Sequence, residues 1–315
     1  MHLPSFASCA TLAVGLLSVF SAVGLTNAAD KKIRELKALS LEPPYVDEGF
    51  RPLHWDYGGD VVIDTYSHVR LASDASSRQG HIWSNSMLPT DTWKVEFEFK
   101  IHGKGSYLYG DGLAFWAAKE RSTGGPVFGN RDYFTGLGIF FDTYANSKHT
   151  YSFPIITAMV GDGRTPYDAA GDGEKNSKGR CHAMIRNTRK ESARAMVTYL
   201  KGKFLEVRVM TEKDKWVDCF TVNDITLPSG LYLGFSAHTG EISDNHDLLW
   251  VKSETMDSKS AESMRHGSGA AQPTFAGQAT GSVLGFWFKL MVVGAICGMV
   301  FMGYRAYAAK QNEKF

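Results

Sequence analysis

Trp93, Val95, Phe97, Phe99 and Ile101 alternate strictly with Lys94, Glu96, Glu98 and Lys100. A period of two puts the five apolar residues on one face of an extended chain and the four charges on the other. Such a strand needs neighbours to pair with and a second layer over its apolar face. The sequence supplies both. Leu53–Trp55, Val61–Ile63, His68–Leu71, His81–Trp83, Leu113–Trp116, Gly138–Phe141, Ile155–Gly161, Cys181–Arg186, Ala195–Leu200, Phe204–Met210, Trp216–Val222, Leu231–Ala237 and Leu248–Lys252 are short strand candidates. Between them lie Gly, Pro, Asn and Asp signals, among them expected turns at Asp56–Gly59 and Lys201–Gly202. About a dozen short strands so punctuated predict an all-β, two-sheet sandwich rather than a parallel α/β fold.

The ends read differently. Ala10–Gly24 is an apolar run too short to span a bilayer comfortably, followed by small residues that suit cleavage after Ala28 or Ala29. This predicts a secretory signal peptide over 1–28. Residues 29–44 form a charged arm closed by Pro43-Pro44, and residues 257–282, rich in Ser, Gly, Ala and Gln, read as a flexible stalk. Val283–Tyr304 is long enough for one C-terminal transmembrane helix, with Lys289 snorkelling to the lumenal interface and Arg305 and Lys310 on the cytosolic side. The expected product is a type I membrane protein with a lumenal domain over 45–256 and a tail over 305–315. Cys9 falls in the signal peptide and Cys297 in the span. A disulfide is the simplest use of Cys181 and Cys219 in an oxidising compartment. Lys+Arg 34 against Asp+Glu 33 leaves a formal net charge of +1, without the electrostatic footprint of nucleic-acid binding.

The chemistry centres on Gly136–Asn146. A buried strand ends at Asp142, and Asp142, Tyr144 and Asn146 follow at a spacing of two, which puts them on one face of an extended segment. A carboxylate, a backbone carbonyl and an amide then converge as hard oxygen ligands, suited to Ca²⁺. An Asx-rich turn is the plainer reading of these residues alone. Asp111, between Gly110 and Gly112, stands where a ligand can approach closely, though a tight turn explains it too. Asp162–Asp172 is a long Gly/Asp/Pro loop, and His238–His246 another loop. Glu96 and Glu98 share a strand face, which invites a glycosidase reading. Lys94 and Lys100 on that face point instead to a solvated surface.

Taken in order, the signal peptide, Gly110-Asp-Gly112, Phe141-Asp-Thr-Tyr-Ala-Asn146, the two cysteines, Gly240-Glu-Ile-Ser-Asp-Asn-His246, one span and a short tail resemble the L-type lectins of the early secretory pathway. The chain looks closer to the vesicular integral-membrane branch than to the mannose lectins of the ER–Golgi intermediate compartment. The resemblance implies a legume-lectin-like, concanavalin-like antiparallel β-sandwich. It also implies Ca²⁺-dependent binding of high-mannose N-glycans on glycoprotein cargo moving between ER and Golgi. Carried over by motif, Asp142, the Tyr144 carbonyl, Asn146 and Asp172 would hold Ca²⁺. Asp111 and Asn146 would bond mannose hydroxyls, and Ser77 with the backbone of Gly240, Glu241 and Ile242 would line the sugar site. The tail ends in Lys314-Phe315, similar to a family signal read by vesicle coats.

One departure stands out. The vesicular lectins carry a mannose-holding histidine shortly before the loop aspartate, and here Ala169 takes that place. His149 and His182 read as ordinary surface residues. A lectin is the expectation, and a cargo adaptor that has lost sugar binding is the alternative that Ala169 keeps open. A glycosidase ranks behind both.

Overall fold

The computed structural model describes residues 33–149, 151–188, 192–265 and Met302. The expected signal peptide, span and tail, apart from Met302, lie outside the described residues, as does the stalk beyond residue 265. Among the described residues no helix is long and apolar enough to cross a membrane.

The domain is a sandwich of two antiparallel sheets. Its strands are β1 (Arg34–Glu35), β2 (Trp55–Gly59), β3 (Val62–Asp64), β4 (His68–Ala72), β5 (Gln79–Met87), β6 (Thr92–His102), β7 (Gly112–Ala118), β8 (Thr135–Asp142), β9 (Ile155–Asp162), β10 (Ser177–His182), β11 (Ala193–Leu200), β12 (Phe204–Glu212), β13 (Lys215–Asn223), β14 (Tyr232–His238) and β15 (Asn245–Thr255). The eight-stranded sheet runs β13-β12-β11-β6-β15-β4-β3, with β1 added on β15, and the seven-stranded sheet runs β10-β9-β8-β7-β14-β5-β2.

The alternation of β6 sets the layering. Trp93 to Ile101 point between the sheets, where Phe97 packs on Phe115, Phe141 and Phe235 of the facing sheet. The charged residues of β6 face outward, where Lys94 pairs with Glu254 and Arg194 with Glu98. β7 and β8 are buried along nearly their whole length. Loops cover the outer face of their sheet, and Trp116, Phe134 and Phe140 pack there with Phe128 and Tyr167. Cys181 of β10 and Cys219 of β13 form a disulfide that joins the edge strands of the two sheets.

Several expectations are corrected. Asp56–Gly59 is not a turn: it is most of edge strand β2, with Asp56, Tyr57 and Gly58 opposite Trp83, Ile82 and His81. Its polar and glycine residues suit an edge, where one side of the strand lies unpaired. The strand expected at Cys181–Arg186 begins earlier, at Ser177, and ends at His182. β15 starts inside the expected 238–246 loop and runs to Thr255. Its outward charges, Asp247, Lys252 and Glu254, hide the alternation but pair with Arg70, Lys94 and each other. Residues 34–41, in the expected arm, lie against β15, with Leu39 and Leu41 in the core. The first part of the expected stalk is a helix, α1 (Ser258–Met264), capped by Asp257 and packed through Ala261 on Leu200, Phe204 and Met256.

Candidate functional site

Three strand ends and five loops meet at one end of the seven-stranded sheet. Register places Asp142, last in β8, opposite Gly112, first in β7, and Gly112 opposite His238, last in β14. Gly112 has φ +142, and a Cβ there would come within 2.2 Å of the Phe141 carbonyl. Only glycine lets these strands close at that point.

The acidic pole is buried. Asp142 is 2% exposed and Asp172 0%. The Tyr144 amide donates to Asp142 Oδ1 at 3.0 Å. Asp172 sits in the left-handed region (φ +50) after a 3-10 turn over Ala169–Gly171. Its loop is anchored by Tyr167, whose ring packs on Phe140, and by Asp168, which is tied to Asn176 and Lys175. Asn146 donates to the Asp172 carboxylate twice, from its backbone amide at 3.0 Å and from Nδ2 at 2.6 Å. Asp142, Tyr144 and Asn146, which the spacing grouped, thus lie beside Asp172, which the resemblance added. Burial pushes the Asp142 carboxyl well above the usual carboxylate range, and the Asp172 carboxylate adds to that. Two buried carboxyls that repel each other favour a divalent cation between them. Among the described residues no group of three or more His, Cys, Asp or Glu side chains forms a metal cluster. Two carboxylates, a carbonyl and an amide oxygen make a donor set that fits Ca²⁺.

His149 corrects the sequence reading. It is no ordinary surface residue: its side chain is 4% exposed and Nε2 bonds Asp172 Oδ2. The ring stacks on Tyr151 with centroids 4.4 Å apart and lies 5.5 Å from Phe153, while Arg180 covers the other aromatic ring of the stack, Tyr151. Its position three residues after Asn146 carries no pattern that marks it. His182 is exposed, with Nδ1 2.9 Å from the Pro154 carbonyl. Ala169 is exposed in its turn.

The polar pole is open. The Gly110–Asp111 peptide is cis. Thr143 donates to the Asp111 carbonyl from N and Oγ1, and the Asp111 amide donates to His238 O. The Asp111 carboxylate, 29% exposed, bonds His238 Nδ1 at 2.8 Å. Gly240 faces it, its Cβ position 3.6 Å from both carboxylate oxygens, and the Cβ position of Gly110 touches Ile242 and Tyr144. Ser77, with φ +55, donates its amide to Gly240 O at 2.9 Å. Thr239 and Ser243 tie the same two loops together through Ala75 and Asp74. Ser77, Asp111, Gly240 and Ile242 are thus neighbours, and Glu241 between them is exposed. His238 and Arg186, which no motif marks, support the loops: buried Arg186 pairs with Asp244 of the 240–246 motif and donates to Gly105 O. Glu96 and Glu98 are elsewhere, mid-strand in the other sheet. Glu98 is held by Ser192, Arg194 and Trp250.

A model of the legume-like lectin family matches residues 32–263. An L-type lectin-like domain-containing protein of Schizosaccharomyces pombe is 37% identical over 244 residues, 77% of each chain. The vesicular integral-membrane protein VIP36 of Mus musculus is 39% identical over 217 residues, which are 68% of this chain and 60% of VIP36. The chain thus matches about three fifths of that relative's length. Among solved structures, the exoplasmic/lumenal domain of VIP36 in its Ca²⁺- and Man2-bound form is similar with a TM-score of 0.66 and 38% identity, over 70% of this chain and 89% of that one. A metal-free form of the same domain gives a TM-score of 0.65.

Proposed function

Because this chain belongs to the legume-like lectin family, we propose that it is a Ca²⁺-dependent lectin for high-mannose N-glycans, carried in ER and Golgi membranes to help sort or transport glycoprotein cargo. The family is one of lectins and the chain is not an enzyme. The observation that supports the reading best is the meeting of a buried carboxylate pair with a half-exposed carboxylate at one end of the seven-stranded sheet. Asp142, the Tyr144 carbonyl, Asn146 and Asp172 would hold the cation, which would neutralise the buried charge and fix the loops. Asp111 accepts from sugar hydroxyls, and the Asn146 amide both donates and accepts. The Gly240–Ile242 backbone and Ser77 line the opening, where the missing Cβ of Gly240 leaves room beside Asp111. The tail ending in Lys314 and Phe315 would contact vesicle coats.

The test is binding of the full chain in detergent to high-mannose glycans, with Ca²⁺ and with chelator, beside Asp111→Asn. Ca²⁺-dependent binding lost in the variant is the expected result. Exposed Ala169 gives the adaptor reading its foothold, and glycan binding in neither condition would favour it.

A further inference from the structure

We propose that His149 is a positioning residue for the cation site, holding the Asp172 carboxylate in the orientation that the cation requires. The inference rests on the Ca²⁺ reading above and goes beyond it. Asp172 stands at the end of a short turn, in the left-handed region. Four contacts hold its side chain. Oδ1 accepts from Asn146 Nδ2 and Oδ2 from the Asn146 amide, which also reaches Oδ1 at 3.2 Å, and Oδ2 meets His149 Nε2. The Asn146 amide side chain is itself a candidate ligand, so its bond to Oδ1 competes with the cation. Among the described residues, the imidazole is the one side chain that bonds Oδ2.

The ring is built to stay there. It is shut in between Asp172 and the Tyr151–Phe153 stack, with Ser147 Oγ 3.0 Å from Nε2 and Glu174 Oε2 3.8 Å from Nδ1. Nε2 donates in the Nε2–H tautomer and in the protonated ring alike, so the role needs no change of charge. Ligating carboxylates held by an outer partner in this way lose affinity, typically 10- to 100-fold, when the partner is removed. His149 thus reaches the aspartate from the β8–β9 loop that follows Asn146.

The experiment is calorimetric Ca²⁺ titration of the full chain in detergent, comparing wild type, His149→Ala and His149→Gln, with thermal unfolding in chelator as a control. Wild type is expected to bind. His149→Ala should raise the Kd at least tenfold, and His149→Gln, which keeps an N–H donor, should recover most of that loss. A merely structural role would lower the chelator-state Tm of both variants and leave the Kd of both at the wild-type value, which would overturn the proposal. Equal weakening in both variants would also overturn it, since the bond would then not be what matters. Absence of Ca²⁺ binding by wild type would overturn the cation reading and this proposal together. Binding by wild type with an unchanged Kd in His149→Ala would overturn this proposal alone.

Discussion

His246 is fully buried at the start of β15, and neither ring nitrogen finds a hydrogen-bond partner among the described residues. Burial lowers its pKa from 6.5 to about 4, with His102 adding to the effect and Asp111 and Asp247 opposing it. In the unfolded chain the ring takes a proton below its ordinary value. In the folded protein it resists until about pH 4. The unfolded state thus binds more protons between these values, and stability is lost as pH falls through that window, by about 3 kcal/mol. His246→Leu should therefore flatten the acid limb of a Tm-against-pH curve, and an unchanged limb would rule this histidine out as its source. At the same scale, the acidic residues of the site were legible from the sequence. Asp142 and Asn146 show themselves by residue type and spacing next to a strand end, whereas Asp172 was marked only by the family resemblance. His149 and His238 did not, because the first owes its place to ring stacking and the second to strand register, and neither leaves a local pattern.

Among the elements, the strands with clean alternation or continuous apolar runs, β6, β8, β11 and β12, were readable. Edge strands β2 and β10 were displaced or taken for turns, because an edge tolerates glycine and charge that a central strand does not. The Cys181–Cys219 bond ties the far edge of one sheet to the far edge of the other across a separation of 38 residues. Closing a loop of that length contributes about 4 kcal/mol in the chain-entropy model. The paired change Cys181→Ala with Cys219→Ala should lower the unfolding free energy by roughly that amount in urea titration, and a loss below about 1 kcal/mol would contradict it. Helix α1 belongs to the domain and not to a free stalk, since Ala261 is buried on Leu200 and Phe204. Asp257 caps it by accepting from the Ser260 amide at 2.8 Å. Asp257→Ala should cost about 1 kcal/mol in the same titration, the usual worth of such a cap.

Across the whole molecule, composition and punctuation announced a two-sheet sandwich but not its strand order. That order comes from pairings between distant segments, which no window of the sequence contains. The last two strands, β14 and β15, sit in the interior of both sheets: β15 separates β6 from β4, and β14 separates β7 from β5. Neither sheet can close before they arrive. A chain cut after Leu231 should yield no protease-resistant domain, whereas one cut after Met264 should resist like the full length. Synthesis runs in one direction at roughly 5–20 residues per second, so the two hundred residues from the first sheet strands to Thr255 take about 10–40 seconds to appear. From the synthesis of Asp142 until that of β14, Asp111 and Asp142 exist on the nascent chain without the strand that brings His238 to them. The candidate site thus carries its own timer, since its last loop, between β14 and β15, is placed only when both of these strands have joined their sheets.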